Sequence, residues 1–172
     1  IYALGEIKDA RAIGQIVNAL IDFEAPDALG KIGAPAVEPL IRKLRDKNSV
    51  IRLKALYALE IIEDPRAVEP LISTMNKDDD SNVRLKAAEV LGEIDNDAKV
   101  EETLLNALKD KNLEIVAGAR RFFIRKGMVG TEDILIRAMN KHENTWGVAP
   151  IAKDLLNSGN AKLAAAAREF AE

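Results

Sequence analysis

Cysteine is absent, histidine occurs once, and only 4% of the 172 residues are aromatic. Without cysteine there is no disulfide, no thiolate nucleophile and no sulfur-based metal site, a usage that fits a reducing cytoplasm. With a single histidine and no thiol, a nucleophile-plus-base pair cannot be assembled; carboxylate or lysine chemistry remains, and no residue of either kind stands out by spacing. The scarcity of aromatics leaves Ala, Leu, Ile and Val to fill the interior, which closely packed helices tolerate better than β-sandwiches do. Long apolar runs are missing too. Nothing approaches the roughly 20 residues that span a bilayer, and the N-terminus lacks a charged-then-apolar signal pattern. The ten glycines are scattered singly, so no phosphate-cradling loop is present. These absences point to a cytoplasmic, non-enzymatic chain with no catalytic, metal or cofactor site.

What is present is 48% hydrophobic and 31% charged residue, the balance of a folded soluble chain. The formal net charge of −3 and pI near 5.4 give no overall attraction to phosphate backbones or anionic membranes, so nucleic acid and membrane are both disfavoured as partners. The chain starts at Ile1, inside what reads as a helix, and is expected to be a fragment of a longer protein.

The sequence repeats. Glu38-Pro39-Leu40-Ile41 returns as Glu69-Pro70-Leu71-Ile72, 31 positions on, and Arg52-Leu53-Lys54-Ala55 returns as Arg84-Leu85-Lys86-Ala87, 32 positions on. One unit is therefore two short helices. In the first, Val37, Leu40, Ile41 and Leu44 fall at i, i+3, i+4 and i+7, one buried stripe. Pro35 and Pro65 mark first turns, and Pro39 and Pro70 lie close enough to a helix start to be tolerated, since first-turn amides lack intrahelical acceptors. The second helices, Val50 to Ile62 and Val83 to Ile94, are apolar over a broader face and rich in Ala, so they pack on both sides. Ser49 and Ser81 are the expected N-caps; Asp46 to Asn48, Asp78 to Asp80 and Asp110 to Asn112 supply turns. Gly33, Gly127 and Gly159 sit at helix ends that call for positive φ. One repeat is shorter: nine positions separate Leu20 from Leu29, against fifteen between Leu44 and Leu59. Its second helix has lost about six residues, and Asp22 to Pro26 should form a tight bend.

An Asp followed six residues later by Arg, after Val or Ile, then an Ala-rich helix and Leu-Gly-x-Ile, resembles HEAT repeats, especially the HEAT-like repeats named after phycobilisome lyases. The pattern stands here as Asp46 with Ile51-Arg52, Asp78 with Val83-Arg84, and Leu91-Gly92-Glu93-Ile94. The resemblance implies an all-α fold, an α-solenoid with a right-handed superhelix of about five helical hairpins and a C-terminal capping helix. As a single domain over 1–172 it divides into a partial repeat 1–8, repeats of about 9–33, 34–63, 64–96, 97–127 and 128–158, and a capping helix 160–172. In the fourth full unit Val116 replaces the Arg, which removes the partner implied for Asp110. End repeats expose one side to water, which the Ala-rich helix from Ala161 suits.

Four local features invite chemistry. His142-Glu143 is one His-Glu pair, where a di-iron HEAT enzyme needs several, so His142 is read as exposed at a helix end. Asp78 to Asp80 lacks the spaced oxygen ligands and late Glu of an EF-hand and is read as a solvated turn. Arg120-Arg121-Phe122-Phe123-Ile124-Arg125-Lys126 interleaves basic and aromatic residues in the manner of a nucleic-acid binder, yet Phe122 and Phe123 align with Val90 and Leu91, core positions of the preceding repeat. Only its cations remain as candidates. Trp146 is either a partner anchor or a side chain packed under a cap.

In HEAT arrays the second helices line a concave face, so stacking equivalent positions turns sequence into surface. One row reads Tyr2, Asp27, Tyr57, Glu89, Arg121, Asp154; the next reads Glu6, Lys31, Ile61, Glu93, Arg125; a third holds Lys54 and Lys86. Lys54, Tyr57, Ile61, Lys86, Glu89, Glu93, Arg121 and Arg125 are thereby the partner-binding candidates. Their mixed sign suits a protein or peptide rather than a phosphate backbone, although Glu89 with Arg121, and Glu93 with Arg125, would equally pair between adjacent helices. The leading reading is a non-catalytic protein-protein interaction scaffold. Nucleic-acid binding through the Arg120–Lys126 cluster is one alternative; an accessory or lyase-like subunit in bilin chromophore attachment, which the family resemblance implies, is another.

Overall fold

A computed structural model of the chain describes residues 12–20, 25–94, 98–108, 113–126, 131–141 and 148–171. They are all helical or turn, in two compact units, Ile1–Asn96 and Asp97–Glu172. In the first unit the helices are α1 (Ile13–Asn18), α2 (Ala25–Ile32), α3 (Val37–Lys43), α4 (Ser49–Ile62), α5 (Val68–Lys77) and α6 (Ser81–Ile94). The second holds α7 (Ala98–Ala107), α8 (Leu113–Lys126), α9 (Glu132–Lys141), α10 (Val148–Leu156) and α11 (Ala161–Ala171).

The first unit is a stack of helical hairpins in two layers, as the period implies. First helices follow one another (α1 on α3), second helices do the same (α2 on α4, α4 on α6), and each hairpin closes on itself. The apolar stripe of α3 is buried at Val37, Leu40 and Leu44, while Ile41 is only half-buried. The second helices bury more than a stripe: Ala55, Leu56, Ala58 and Leu59 of α4, and Val83, Ala87, Ala88, Val90 and Leu91 of α6. Small alanines on two sides of α4 let both neighbours approach. The shortened repeat is as expected, since α2 has eight residues where α4 and α6 have fourteen. Asp22 to Glu24 lie outside the described residues, and Ala25 and Pro26 already belong to α2.

Helix starts differ in detail from the sequence reading. Pro35 and Pro65 lie in three-residue 3-10 turns, Ala34–Ala36 and Pro65–Ala67, that precede α3 and α5, and Pro39 and Pro70 are third in their α-helices, where no intrahelical amide bond is lost. Ser49 and Ser81 are not the caps. The Asn48 side chain accepts from the Val50 amide at 3.0 Å, and Asp80 accepts from the Asn82 amide at 2.8 Å, each one residue earlier than expected. The carboxamide or carboxylate oxygen wins because Ser49 and Ser81 already have helical backbone. Gly33 and Gly159 do adopt positive φ, +80° and +74°, and Gly127 lies outside the described residues.

The recurrent Arg bonds the main chain of the Asp turn in its own repeat, and Arg52 in addition reaches the carboxylates of the next turn. Arg52 donates through Nη1 to the Asp46 main-chain oxygen at 2.9 Å, and through Nη2 to the carboxylates of Asp78 (2.7 Å) and Asp79 in the following turn. The Asp46 carboxylate instead accepts from the Asn48 amide and Lys43. Arg84 repeats half of this, donating to the main-chain oxygens of Asp78 (2.8 Å) and Asp79; Asp110 lies outside the described residues. The hydrogen bond to Asp78 raises the Arg52 pKa, against the opposing effect of burial.

In the second unit α8 is in contact with α7 and α10, while α11 packs on α9 and α10. Phe122 and Phe123 are buried in it, their rings edge to face with centroids 5.0 Å apart. Asn160 caps α11 by accepting from the amides of Lys162 and Leu163. Leu163, Ala164 and Ala167 are buried there while Ala161, Lys162, Ala165, Arg168 and Glu169 are exposed, so α11 has one wet face.

Candidate partner-binding surface

Positions free of the core pattern on α4 come together on the second-helix side of the first unit. Tyr57 and Ile61, one helical turn apart, are 44% and 48% exposed, unusual for large hydrophobic side chains on a helix whose Ala55, Leu56, Ala58 and Leu59 are fully buried. With Lys54 and Glu60 of α4 and Pro26 and Asp27 of α2 they line a cleft of about 430 Å³. The cleft exists because α2 runs close to α4 at Gly30, where a Cβ atom would lie 2.4 Å from Ile61 Cγ2. Only glycine allows that approach.

Lys86, on α6, fixes the ring at the mouth of this cleft. Its Nζ lies 4.5 Å from the Tyr57 ring centroid, 2.7 Å from Glu60 Oε1 and 3.6 Å from Glu89 Oε2. An ammonium over the ring face and between two carboxylates is held in place, and it holds Tyr57 from one side. Of the three rows read from the sequence, Lys54, Tyr57, Ile61, Lys86 and Glu89 thus form one continuous patch, and Glu93 is exposed further along α6. Glu89 is half-buried and engaged with Lys86. Glu60 and Gly30 were not among the sequence candidates. Glu60 acts across 26 positions, a separation that carries no local signal, and Gly30 acts only through the missing Cβ.

The basic run of α8 is divided by burial. Arg120 is 2% exposed and forms an ion pair with Asp154 of α10 at 2.7 Å, so it is part of the packing and cannot serve a phosphate, contrary to its reading as a candidate cation. Arg121 is exposed and lies 3.8 Å from the same carboxylate. The backbones of Arg125 and Lys126 end α8, and their side chains lie outside the described residues, as do His142 and Trp146. Among the described residues no group of three His, Asp or Glu side chains converges on a point that would hold a metal ion, and no helix is long and apolar enough to cross a membrane.

The sequence profile of the family described as HEAT repeats matches residues 20–92 and 68–133. A deoxyhypusine hydroxylase of Neurospora crassa is 34% identical over 94 residues, which are 54% of this chain and 29% of that protein. A bilin biosynthesis protein of Synechococcus sp. strain WH8020, MpeU, is 31% identical over 134 residues, 75% of this chain and 45% of that protein. The chain thus spans less than half the length of these curated relatives. Among solved structures, the complex of CpcE and CpcF of phycocyanin lyase from Nostoc sp. PCC7120 contains a chain of similar fold, with a TM-score of 0.57 at 23% identity over 95% of this chain and 100% of that one.

Proposed function

The chain belongs to the HEAT-repeat family, a fold of protein-protein interaction, and from that premise we propose that it is an accessory or lyase-like subunit in bilin chromophore attachment. In this role it binds a protein partner through the second-helix side. The observation that carries the reading is the likeness to a protein named for bilin biosynthesis, which extends over three quarters of the chain. The similar fold in a complex of two lyase proteins is in keeping with action alongside a second protein. The likeness to the hydroxylase covers a shorter stretch, 54% of the chain.

On this reading Tyr57 and Ile61 are the anchors, since an aromatic and an aliphatic side chain beside a cleft lose water readily when covered. Lys86 presents the Tyr57 ring, and Lys54, Glu89 and Glu93 of the same unit supply polar contacts around the anchors. The chain contributes binding rather than covalent chemistry.

The test is to titrate the purified chain with an open-chain tetrapyrrole and, separately, with an apo-phycobiliprotein subunit, by absorbance and by calorimetry. Binding to at least one is expected, and Tyr57→Ala with Ile61→Ala should weaken the protein complex at least about tenfold, the loss of two interface anchors. Binding to neither would overturn the bilin reading; undiminished binding by the folded double variant would overturn the surface assignment alone.

A further inference from the structure

The opposite, first-helix side of the first unit carries chemistry that the proposed function leaves unused. Two shallow grooves run there. One, about 450 Å³, lies between α1 and α3, with Ile13, Val17 and Pro39 as apolar floor and Arg42 and Arg45 on its rim. The other, about 420 Å³, lies between α3 and α5, with Ile41, Leu44 and Pro70 as floor and Arg45 and Lys77 on its rim. Arg45 borders both. This is where the half-buried Ile41 of the α3 stripe goes: it faces a groove rather than the core.

Arg42, Arg45, Lys47 and Lys77 are exposed, and among the described residues none of the four is in an ion pair. The carboxylates beside them are already engaged: Asp46 by Lys43 and the Asn48 amide, Asp78 by Arg52. Glu69 has a contact of its own. A chain of net charge −3 therefore presents a local surplus of positive charge around two apolar troughs. We propose that this face docks an acidic segment of a partner protein, whose apolar side chains enter the grooves on either side of Arg45 while its carboxylates meet Arg42, Arg45 and Lys77. A phosphate chain draws its affinity from an unbroken row of cations. Here Asp46, Glu69 and Asp78 line the same grooves, and an aliphatic floor offers a phosphodiester nothing. Charge complementarity and burial of the floor together favour the acidic, partly apolar peptide.

The probe is a fluorescein-labelled peptide of alternating Glu and Leu, followed by anisotropy, beside the same peptide with Gln for Glu and a single-stranded oligonucleotide. The intact chain should bind the Glu/Leu peptide, more weakly as salt rises, and bind the Gln/Leu peptide poorly. Arg42→Glu with Arg45→Glu and Lys77→Glu should weaken binding at least about tenfold by placing like charges together. Because all three side chains are exposed the variant should fold. If circular dichroism shows that it does not, the neutral pair Arg45→Gln with Lys77→Gln, expected to lose part of the affinity, decides. Tyr57→Ala with Ile61→Ala should leave this binding unchanged, which separates it from the proposed function. No binding by the intact chain, equal binding of the Gln/Leu peptide, full affinity in the reversed variant, or tighter binding of the oligonucleotide would each overturn the proposal.

Discussion

Arg52 shows how much one side chain does in a stacked array. It sits in the first turn of α4, its side chain leans toward the helix N-terminus, and from there it reaches the turn before it and the turn of the next hairpin together. Arg52 and Asp78 are 8% and 7% exposed, so removing Arg52 leaves the buried Asp78 carboxylate without its cation, and removing Asp78 leaves the buried Arg52 with only the carboxylate of Asp79, which is 90% exposed. Arg52→Ala and Asp78→Ala should each cost about 3–5 kcal/mol, and Asp79→Ala less than about 1 kcal/mol. Urea midpoints at unchanged slope measure this; equal effects for Asp78 and Asp79 would show that Arg52 and Asp78 are not a buried pair. The spacing of Asp46 and Arg52 was legible in the sequence, but its meaning was not. Six residues within one repeat suggest an internal pair. The carboxylates that bind Arg52 lie 26 and 27 positions on, and only the stacking brings them there. For the same reason Arg120 read as a surface cation: nothing in its local sequence says that Asp154 waits across the interior.

At the scale of elements, helix type, pairing and even the shortening of α2 followed from periodicity, because a missing turn and a half shows as a change in the distance between leucines. The candidate cleft was half legible. Tyr57 and Ile61 could be found as positions outside the core pattern, but its width is set by how closely α2 meets α4, and that distance depends on Gly30. A new Cβ there would also lie 2.8 Å from Ile61 Cβ, which no rotamer change relieves, so one helix must move. Gly30→Ala therefore sets a propensity gain of up to about 1 kcal/mol against overpacking of about 1–3 kcal/mol. Net destabilisation is expected, with weaker binding at the Tyr57–Ile61 cleft. A variant more stable than the parent in thermal melts would mean that the α2–α4 contact has room to spare.

At the scale of the whole molecule, net charge speaks for the total and not for any one face. A total of −3 averages over faces, and so concealed the cations of α3 and α5, whose acidic counterweights are engaged in caps and ion pairs. Those engaged carboxylates also set the response to acid. Asp46 and Asp80 are held below the usual carboxylate range chiefly by the backbone amides of Asn48 and Asn82, Asp64 by its hydrogen bond with Arg66, and Asp133 by that with Lys162. A folded pKa below the unfolded value means that the unfolded chain takes up protons first. The stability these groups contribute is whole above the unfolded value of 3.8 and drains away as pH falls through their lower folded values. Between neutrality and about pH 5 only one histidine is present to titrate, so stability there should be nearly flat. Urea midpoints should accordingly hold from about pH 7 to 5 and drop below about pH 4. Asp80→Asn should lower the neutral plateau and make the acid limb shallower, because the amide still caps α6 but no longer has a proton to gain. Stability that rises as pH falls below 4, or an acid limb unchanged in this variant, would show that the caps are not what acid dismantles.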